Sequence, residues 1–243
     1  MAKKYENWLV YDYDEVTSTN DVIKDLCCKG GQKIAVFAKR QSAGRGRLGR
    51  KWQSLEGNLF LSLAVEVAPQ FLSLLALICG LTLWQIIQHL QPVAKAQIKW
   101  PNDVLLNGAK VCGILLEKGP LDYIIVGIGV NVAQSPSTDA VIYPTTSLKE
   151  EGIEVEIETL MKLYLQQLDF NLSLEQQKNG RKNLRKQWLQ AAKGYDETIV
   201  VRQNNQEICG IFKGIDENGY LLLENGGKIC QIRAGDVFYV KEN

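Results

Sequence analysis

Apolar residues along the first two thirds of the chain follow the periodicities of strands and helices. Short apolar runs bounded by turn residues predict three early strands, at Trp8–Tyr13, Lys33–Arg40 and Asn58–Val67. Between the first two runs, apolar residues recur at helical spacing after Ser18, which predicts a helix with a hydroxyl residue at its start. Residues 157–170 show the same amphipathic spacing, and a second helix after them is expected to end near Ala192.

The middle and the end of the chain read as strands separated by tight turns. Four segments in the middle predict successive strands, namely AQIKW, VLL, AKVCGILLEK and YIIVGIGVNV. Asn107-Gly108 between two of them is a strong hairpin signal. After Gly194 the pattern changes to five short strands with Asn- and Gly-rich turns, which predicts a small barrel. The pattern therefore divides the chain into residues 1–192 and residues 195–243.

The segment between Val67 and Ala94 contains no Lys, Arg, Asp or Glu and is long enough to span a bilayer. Three glutamines and the single histidine, His89, crowd its C-terminal end. We therefore expect a buried core helix rather than a membrane span.

Composition adds few constraints. The chain has 28 Lys and Arg against 27 Asp and Glu, so any anion binding must come from local clustering rather than from global charge. The six cysteines include no C-x-x-C pair, and one histidine is too few for a typical zinc site, so no metal site is expected. Scattered cysteines and the absence of a signal peptide fit the cytoplasm.

The glycine-rich segment 44–49 matches G-x-G-x-x-G, but a dinucleotide fold requires a helix directly after the glycines, and a strand follows here. The segment instead concentrates cations, since Arg45, Arg47, Arg50 and Lys51 lie within seven residues. Arginine binds phosphate or carboxylate bidentately, and glycine lets the backbone approach a ligand. The loop therefore fits either a clamp for an anionic small molecule or a solvated basic surface. Trp52 fits either a base-stacking ring or a core anchor.

Three further segments have both functional and structural interpretations. Lys99 is held at a strand end by Trp100-Pro101, so it is either a fixed cation for developing negative charge or an ordinary strand-end lysine. Gly127, Gly129 and Asn131 share one strand face, which leaves room for a flat ligand or for a close-packed helix. Residues 18–20, Ser-Thr-Asn, either cap a helix or recognise a small polar head group.

Together these segments resemble biotin–protein ligases. The matching pieces occur in family order: STN at 18–20, QSAGRGRLGRKW at 41–52, KWPNDVLLNGAKVCGILLE at 99–117 and GIGVNV at 127–132. The resemblance implies an α+β fold of the class II synthetase and biotin–lipoate ligase type. Its mixed β-sheet is flanked by helices, expected on one side, and an SH3-like β-barrel follows. With a strand beginning near Trp8, no N-terminal helix-turn-helix of the kind found in some members is expected.

The resemblance also implies roles for particular residues. The residues that would stabilise charge in catalysis are Lys99, Arg47 and Arg45. The implied biotin-binding residues are Ser18, Thr19, Asn20, Gln41, Gly44, Arg45, Gly46, Arg47, Lys99, Gly113 and Gly127. The implied ATP-binding residues are Arg47, Arg50, Trp52, Lys99, Asn102 and Asn131. The Arg45-Gly46-Arg47 segment would fold over biotin and its adenylate.

The implied activity is activation of biotin by Mg²⁺-ATP to biotinyl-5′-AMP, followed by transfer to a lysine of a biotin carboxyl carrier domain. No tightly bound cofactor, nucleic acid or membrane is expected, and a homodimer is left open. Three alternatives remain at this point: a lipoate or octanoate transferase, a nucleic-acid-binding module, and a protein that holds biotin without catalysis.

Overall fold

A computed structural model describes residues 2–27, 33–66, 71–137, 143–203 and 206–239. The larger of its two sheets has eight strands in the order β1-β2-β3-β4-β8-β7-β6-β5. These strands are β1 Ala2–Tyr5, β2 Trp8–Val16, β3 Lys33–Gln41, β4 Leu59–Glu66, β5 Ala96–Lys99, β6 Asp103–Leu106, β7 Ala109–Lys118 and β8 Tyr123–Val130. Among the described strands of this sheet, only the β2–β3 pair is parallel, because helix α1 (Thr19–Cys27) crosses between those strands. The predicted mixed sheet is confirmed.

Strands β6 and β7 form the hairpin predicted from Asn107-Gly108. Both turn residues have positive φ angles, 49° and 82°, as this type of two-residue turn requires. The turn places β7 between β6 and β8, so the glycines of β7 and β8 face each other in register, with Gly113 opposite Gly129.

Three helices cover one face of the large sheet and enclose the main core: α2 Leu72–Leu90, α3 Ile157–Glu175 and α4 Gly180–Ala191. Helix α2 is long and apolar enough to cross a membrane, and 67% of its most apolar window is buried inside the protein. It packs against α3, α4 and strands β5 to β7, so its burial agrees with the expected core helix.

Helix α1 lies on the opposite face. Ile23 and Cys27 of α1 pack with Ile34 and Val36 of β3, in a cluster separate from the core under α2. Since side chains alternate between the faces of a strand, Ala35 points into the other core. The sheet is flanked by helices as expected, but the expectation that they lie on one side is wrong for α1.

The last part of the chain forms a second, antiparallel sheet of five strands in the order β12-β11-β10-β9-β13. The strands are β9 Thr198–Gln203, β10 Gln206–Ile215, β11 Leu221–Asn225, β12 Lys228–Ile232 and β13 Asp236–Tyr239. Within the described residues its edge strands β12 and β13 do not pair with each other. The sheet fits the expected SH3-like domain, although within the described residues it is open and does not close into a barrel.

The small sheet shares the main core. Trp188 of α4 meets Phe212 of β10 edge to face, with ring centres 6.4 Å apart. Trp100 Nε1 donates to the carbonyl of Gly219 in the β10–β11 turn at 3.1 Å. These contacts bring strand β13 to the edge of the large sheet where β5 ends.

Candidate active site

A cavity with a volume of about 450 Å³ lies over the glycine-bearing face of β7 and β8. The start of α1, the 41–52 loop, the β5–β6 turn and strand β13 form its walls. A cavity of this size suits one or two small organic molecules. Segments that are far apart in the sequence meet here because β2, β3 and β8 run in the same direction and end at the same side of the sheet.

A chain of short polar contacts forms the floor beside α1. The N–H of Thr19 donates to Gln41 Oε1 at 2.9 Å, and the Asn20 amide donates to Glu117 at 3.0 Å. These bonds turn both amide oxygens toward the hydroxyl groups of Thr19 and Ser62. Thr19 Oγ1 lies 3.1 Å from Gln41 Oε1, and Ser62 Oγ lies 2.7 Å from Thr19 Oγ1 and 2.6 Å from Asn20 Oδ1.

The floor has more acceptors than donors. Two hydroxyl protons serve three short oxygen–oxygen contacts, because the chain ends in an amide oxygen on each side. Thr19 and Asn20 are both almost completely buried, so water has little access to correct the imbalance. A ligand that brings N–H donors completes this network.

The sheet glycines make room for the side chains of Asn20 and Trp52. A Cβ on Gly127 would lie 2.6 Å from Asn20 Oδ1, and a Cβ on Gly129 would lie 2.5 Å from the Trp52 indole. A Cβ on Gly113 would meet the same indole at 2.8 Å. The bare strand face therefore seats the Trp52 ring, which can stack on a flat ligand from this position.

Residues 44–52 form a narrow hairpin, called here the Arg–Gly hairpin. Trp52 N–H donates to Gly44 O at 3.0 Å, Gly46 N–H donates to Arg50 O at 2.7 Å, and Arg45 forms a bridge with Lys51. A single 3-10 turn, Arg47–Gly49, forms the tip. Leu48 at the tip has a positive φ of 56° and is 77% exposed.

Arg45 is engaged by carboxylates. Its Nε and Nη2 donate to both oxygens of Glu117 at 2.8 Å, and Nη2 and Nη1 donate to both oxygens of Asp21 at 2.6 and 2.9 Å. These contacts hold the pKa of Glu117 down to about 2, chiefly through the Arg45 hydrogen bonds. Four of the five guanidinium N–H groups are thus used by protein partners.

Arg47 and Arg50 point to the opposite wall. Arg47 Nη1 donates to Asn102 Oδ1 at 3.0 Å, and its Nη2 donates to the carbonyl of Gly235 at 3.2 Å. Asp236 of β13 accepts from both arginines. The small sheet therefore contributes a carboxylate to the cavity, which no sequence signal indicated.

Lys99 is 9% exposed and lies under aromatic rings. Its Nζ is 4.1 Å from the centre of the Tyr143 ring and 5.8 to 5.9 Å from those of Tyr239 and Phe238. Burial lowers the pKa of Lys99, and the neighbouring Asp103 carboxylate opposes that shift. Ring faces attract the cation, so the cage holds the ammonium close to the cavity.

Sequence reasoning did not single out Lys110, which also lines the cavity. Its Nζ lies 2.7 Å from Asp103 Oδ1 and 5.5 Å from the centre of the Trp52 ring. A Cβ on Gly113 would lie 3.1 Å from this ammonium. The signal was available, because Lys110 stands inside the matched segment 99–117.

Asn131 is 1% exposed at the end of β8. Its Nδ2 donates to Thr146 O at 3.0 Å, and its buried Oδ1 has no hydrogen-bond partner. A buried acceptor without a partner at a cavity wall is suited to a donor from a ligand.

The structure brings nearly all of the expected site residues to this one cavity. The lining includes Ser18, Thr19, Asn20, Gln41, Arg45, Gly46, Arg47, Arg50, Trp52, Lys99, Asn102, Gly113, Gly127 and Asn131. Gly44 stands just behind the wall, where a Cβ would lie 3.2 Å from Gln41 Nε2.

Comparisons with known proteins identify this combination of fold and site. A sequence model of the Biotin/lipoate A/B protein ligase family matches residues 14–131, and one of the Biotin protein ligase C terminal domain matches residues 196–240. The fold and the site are thus those of a protein ligase with a catalytic domain and a C-terminal domain.

Individual relatives agree over most of the chain. It is 37% identical to the biotin--[acetyl-CoA-carboxylase] ligase of Paracoccus denitrificans, over 84% of this chain and 89% of that protein. It is 32% identical to the bifunctional ligase/repressor BirA of Escherichia coli, over 91% and 71%. The structure of the Aquifex aeolicus biotin protein ligase in complex with biotin and ATP superposes with a TM-score of 0.83 at 29% identity, covering 94% and 97%. The chain belongs to the biotin/lipoate A/B protein ligase family.

Proposed function

We propose that this enzyme is a biotin–protein ligase, which activates biotin with ATP as biotinyl-5′-AMP and transfers it to a lysine of a biotin carrier domain. Membership of the family narrows the substrate to biotin or lipoate. The acceptor-rich floor around Thr19, Gln41 and Asn20 is the observation that favours biotin over lipoate. The ureido ring of biotin brings two N–H donors, whereas the dithiolane ring of lipoate brings none.

The proposed first step joins biotin to AMP. A carboxylate oxygen of biotin attacks the α-phosphorus of Mg²⁺-ATP, and the bond from that phosphorus to the bridging oxygen breaks to release pyrophosphate. Such phosphoryl chemistry needs positioning and charge neutralisation more than a protein nucleophile. We assign this neutralisation to Lys99, Arg47 and Lys110, whose cationic ends surround the cavity.

The nucleotide is assigned to the wall formed by Trp52 and Asn131. The Trp52 ring packs against the sheet glycines, where it would also contact adenine, and the unpartnered Oδ1 of Asn131 is an acceptor for a ligand donor. Arg50 and Asn102 would contact the phosphates of ATP. Arg47 and Arg50 would then divide their hydrogen bonds between Asp236 and these phosphates.

In the second step, the acceptor's lysine amine attacks the carbonyl carbon of the mixed anhydride. An amide forms, the C–O bond to the phosphate breaks, and AMP leaves. The Arg–Gly hairpin would cover the anhydride and exclude water until the acceptor arrives.

The chemistry also suggests the setting. The proposed acceptor is a biotin carboxyl carrier domain, and the proposed compartment is the cytoplasm, in keeping with free cysteines at positions 27, 79, 112, 209 and 230. We propose no nucleic-acid or membrane partner. Pairing into a homodimer would use the β1 edge of the large sheet, because Ile98 of β5 already forms a bridge with Ala192.

Incubation of the purified enzyme with Mg²⁺-ATP, a carrier domain and either biotin or lipoate, followed by mass measurement of the carrier, tests the proposal. We expect the carrier to gain one biotinyl group and AMP to appear in equal amount. Lipoylation without biotinylation would assign the lipoate branch of the family. Biotin binding without pyrophosphate release would indicate a binding protein, and salt-dependent DNA affinity in place of activity would indicate a nucleic-acid-binding module.

A further inference from the structure

Two carboxylates outside the expected set of site residues bind Arg45 at the cavity. Asp21 lies on the first turn of α1, and Glu117 lies near the end of β7. The two residues are 96 positions apart in sequence, and each takes two hydrogen bonds from the same guanidinium group. Such paired bidentate geometry fixes the orientation of a guanidinium in a way that a single ion pair does not.

The cluster has no positive charge to spare for a ligand. Arg45 and Lys24 supply two positive charges, and Asp21 and Glu117 supply two negative charges. Glu117 and Asp21 each occupy one edge of the Arg45 guanidinium, so an anionic ligand would have to displace one of these two carboxylates. The cations that face the rest of the cavity, Arg47 and Lys110, are better placed for that task.

Glu117 connects the cluster to the pocket floor. The same Oε2 that accepts from Arg45 also accepts from Asn20 Nδ2 at 3.0 Å. That bond directs Asn20 Oδ1 toward Ser62 and seats the amide over Gly127. One partly buried carboxylate therefore orients both the base of the Arg–Gly hairpin and a floor residue.

We propose that Glu117 and Arg45 are positioning residues that brace the hairpin and the pocket floor before biotin binds. Arg45 acts through its geometry and not as a charge-stabilising cation, and Asp21 completes the brace. This inference rests on the proposed function, since it concerns the biotin site. It predicts that breaking the brace weakens biotin binding and leaves the rate of adenylation at saturating substrate nearly unchanged.

The test compares Arg45→Ala, Arg45→Lys, Glu117→Gln and the double variant Arg45→Ala/Glu117→Gln. Calorimetry gives the Kd of biotin, and single-turnover adenylation with labelled ATP gives the rate at saturating biotin. We expect each single variant to raise the Kd about tenfold, because hydrogen bonds to charged groups are lost. The double variant should be no more than about threefold weaker than Arg45→Ala, since both changes remove one shared network.

Arg45→Lys distinguishes the two roles. Lysine retains the charge but cannot make two bidentate pairs, so a brace fails with lysine whereas a simple cation is restored. A wild-type Kd for Arg45→Lys, or a large loss of rate in Arg45→Ala with normal activity in Glu117→Gln, would overturn the proposal.

Glu175→Gln is the matched control, because Glu175 pairs with Arg181 and is similarly shielded, with side-chain exposure of 16% against 21% for Glu117. It should leave the Kd unchanged. If Glu117→Gln does not fold, as judged by circular dichroism, Asp21→Asn removes the other half of the brace and must raise the Kd of biotin.

The outcomes separate the two proposals. Wild-type enzyme that binds biotin but releases no pyrophosphate overturns the proposed function, and the Kd comparison still decides the brace. Wild-type enzyme that binds no biotin overturns both.

Discussion

At the scale of single residues, the cavity depends on glycines, because they have no side chain to fill the space that Trp52 occupies. The indole of Trp52 occupies the space over Gly129 and Gly113, where any Cβ would lie less than 3 Å from the ring. Close packing of this kind transmits a change of one methyl group directly to the neighbouring side chain.

Gly129→Ala should therefore displace the Trp52 ring. We expect the Kd of ATP to rise about tenfold or more, with a loss of about 1–3 kcal/mol in the free energy of unfolding from overpacking. Biotin binding should change less, since the floor around Thr19 is untouched. Titration calorimetry with each substrate measures both effects. Gly80→Ala in α2, where a Cβ would have 3.4 Å of clearance, is the control and should leave the Kd of ATP unaltered.

The two cavity lysines have different surroundings. Lys99 is enclosed by aromatic rings, while Lys110 pairs with Asp103 beside Trp52. We expect Lys99→Ala to slow adenylate formation by about 100-fold, the typical loss on removing a fixed charge-stabilising group. Pyrophosphate release under single-turnover conditions measures this rate. Normal synthesis by Lys99→Ala together with a large loss in Lys110→Ala would move the role to Lys110.

The stability contributed by Glu117 should depend on pH. Its pKa falls from 4.5 to about 2 in the folded protein, chiefly through Arg45. A carboxyl group with a lowered pKa contributes stability that is present above its unfolded pKa and is lost as pH falls toward the folded one. The difference in free energy of unfolding between wild type and Glu117→Gln should thus shrink from about pH 6 to about pH 3 in urea titrations. A difference that stays constant across this range would contradict the assignment.

At the scale of elements, the apolar helix α2 is stabilised by its neighbours and by a buried polar contact. Asn171 of α3 is fully buried and donates to Thr82 Oγ1 at 2.9 Å and to Gln85 Oε1 at 2.8 Å. These bonds fix how α3 lies along α2, because a buried amide is costly unless its partners are in register.

Asn171→Leu should lower the free energy of unfolding by about 1–3 kcal/mol, since Thr82 stays buried and both Thr82 and Gln85 lose the hydrogen bond from the amide. Urea unfolding followed by circular dichroism gives the value. Asn183→Leu makes the same chemical change at an exposed position of α4 and should shift stability by no more than about 0.5 kcal/mol. Equal losses of stability at the two sites would show that the hydrogen bonds of Asn171 to α2 do not contribute to the free energy of unfolding.

At the scale of the whole molecule, the small sheet contacts the larger part of the fold in two places. One is the β10–β11 turn, and the other is the wall of the cavity. The β10–β11 turn presses Gly219 against the backbone of Leu74, and Asp236 holds Arg47 and Arg50. The C-terminal part therefore contributes a wall to the cavity as well as adding bulk to the fold.

Gly219→Ala tests this junction. Gly219 and Gly226 both have positive φ, 83° and 57°, so alanine is strained at either position. Only at Gly219 would the new Cβ clash, 2.9 Å from Leu74 N. We expect Gly219→Ala to cost about 1–3 kcal/mol more than Gly226→Ala in chemical unfolding, the usual penalty of overpacking. Matching losses would argue against tight docking of the turn on α2.

Within the described residues, the periodicity of apolar residues predicted the order and approximate bounds of the strands from β2 onward and of the four α-helices. It did not predict β1, whose sequence AKKY carries little apolar pattern. It also did not predict the side of the sheet on which α1 packs. Local sequence encodes which stripe of a helix is apolar, while the choice between two apolar sheet faces depends on which face the longer helices already cover.

For the site, the sequence by itself determined the residue types and the local geometry. Short-range sterics and hydrogen bonding explain the local geometry that the sequence predicts. They account for the bare face at the glycines of β8, the glycine-rich arginine segment at 44–50 and the Asn107-Gly108 hairpin. Only the tertiary structure decided the partners. Arg45 meets Glu117, Arg47 meets Asp236, and Lys99 lies under Tyr143, because strand order and docking of the small sheet bring together residues separated by 44 to 189 positions. Electrostatic pairing depends on distance in space, and no local pattern records that distance.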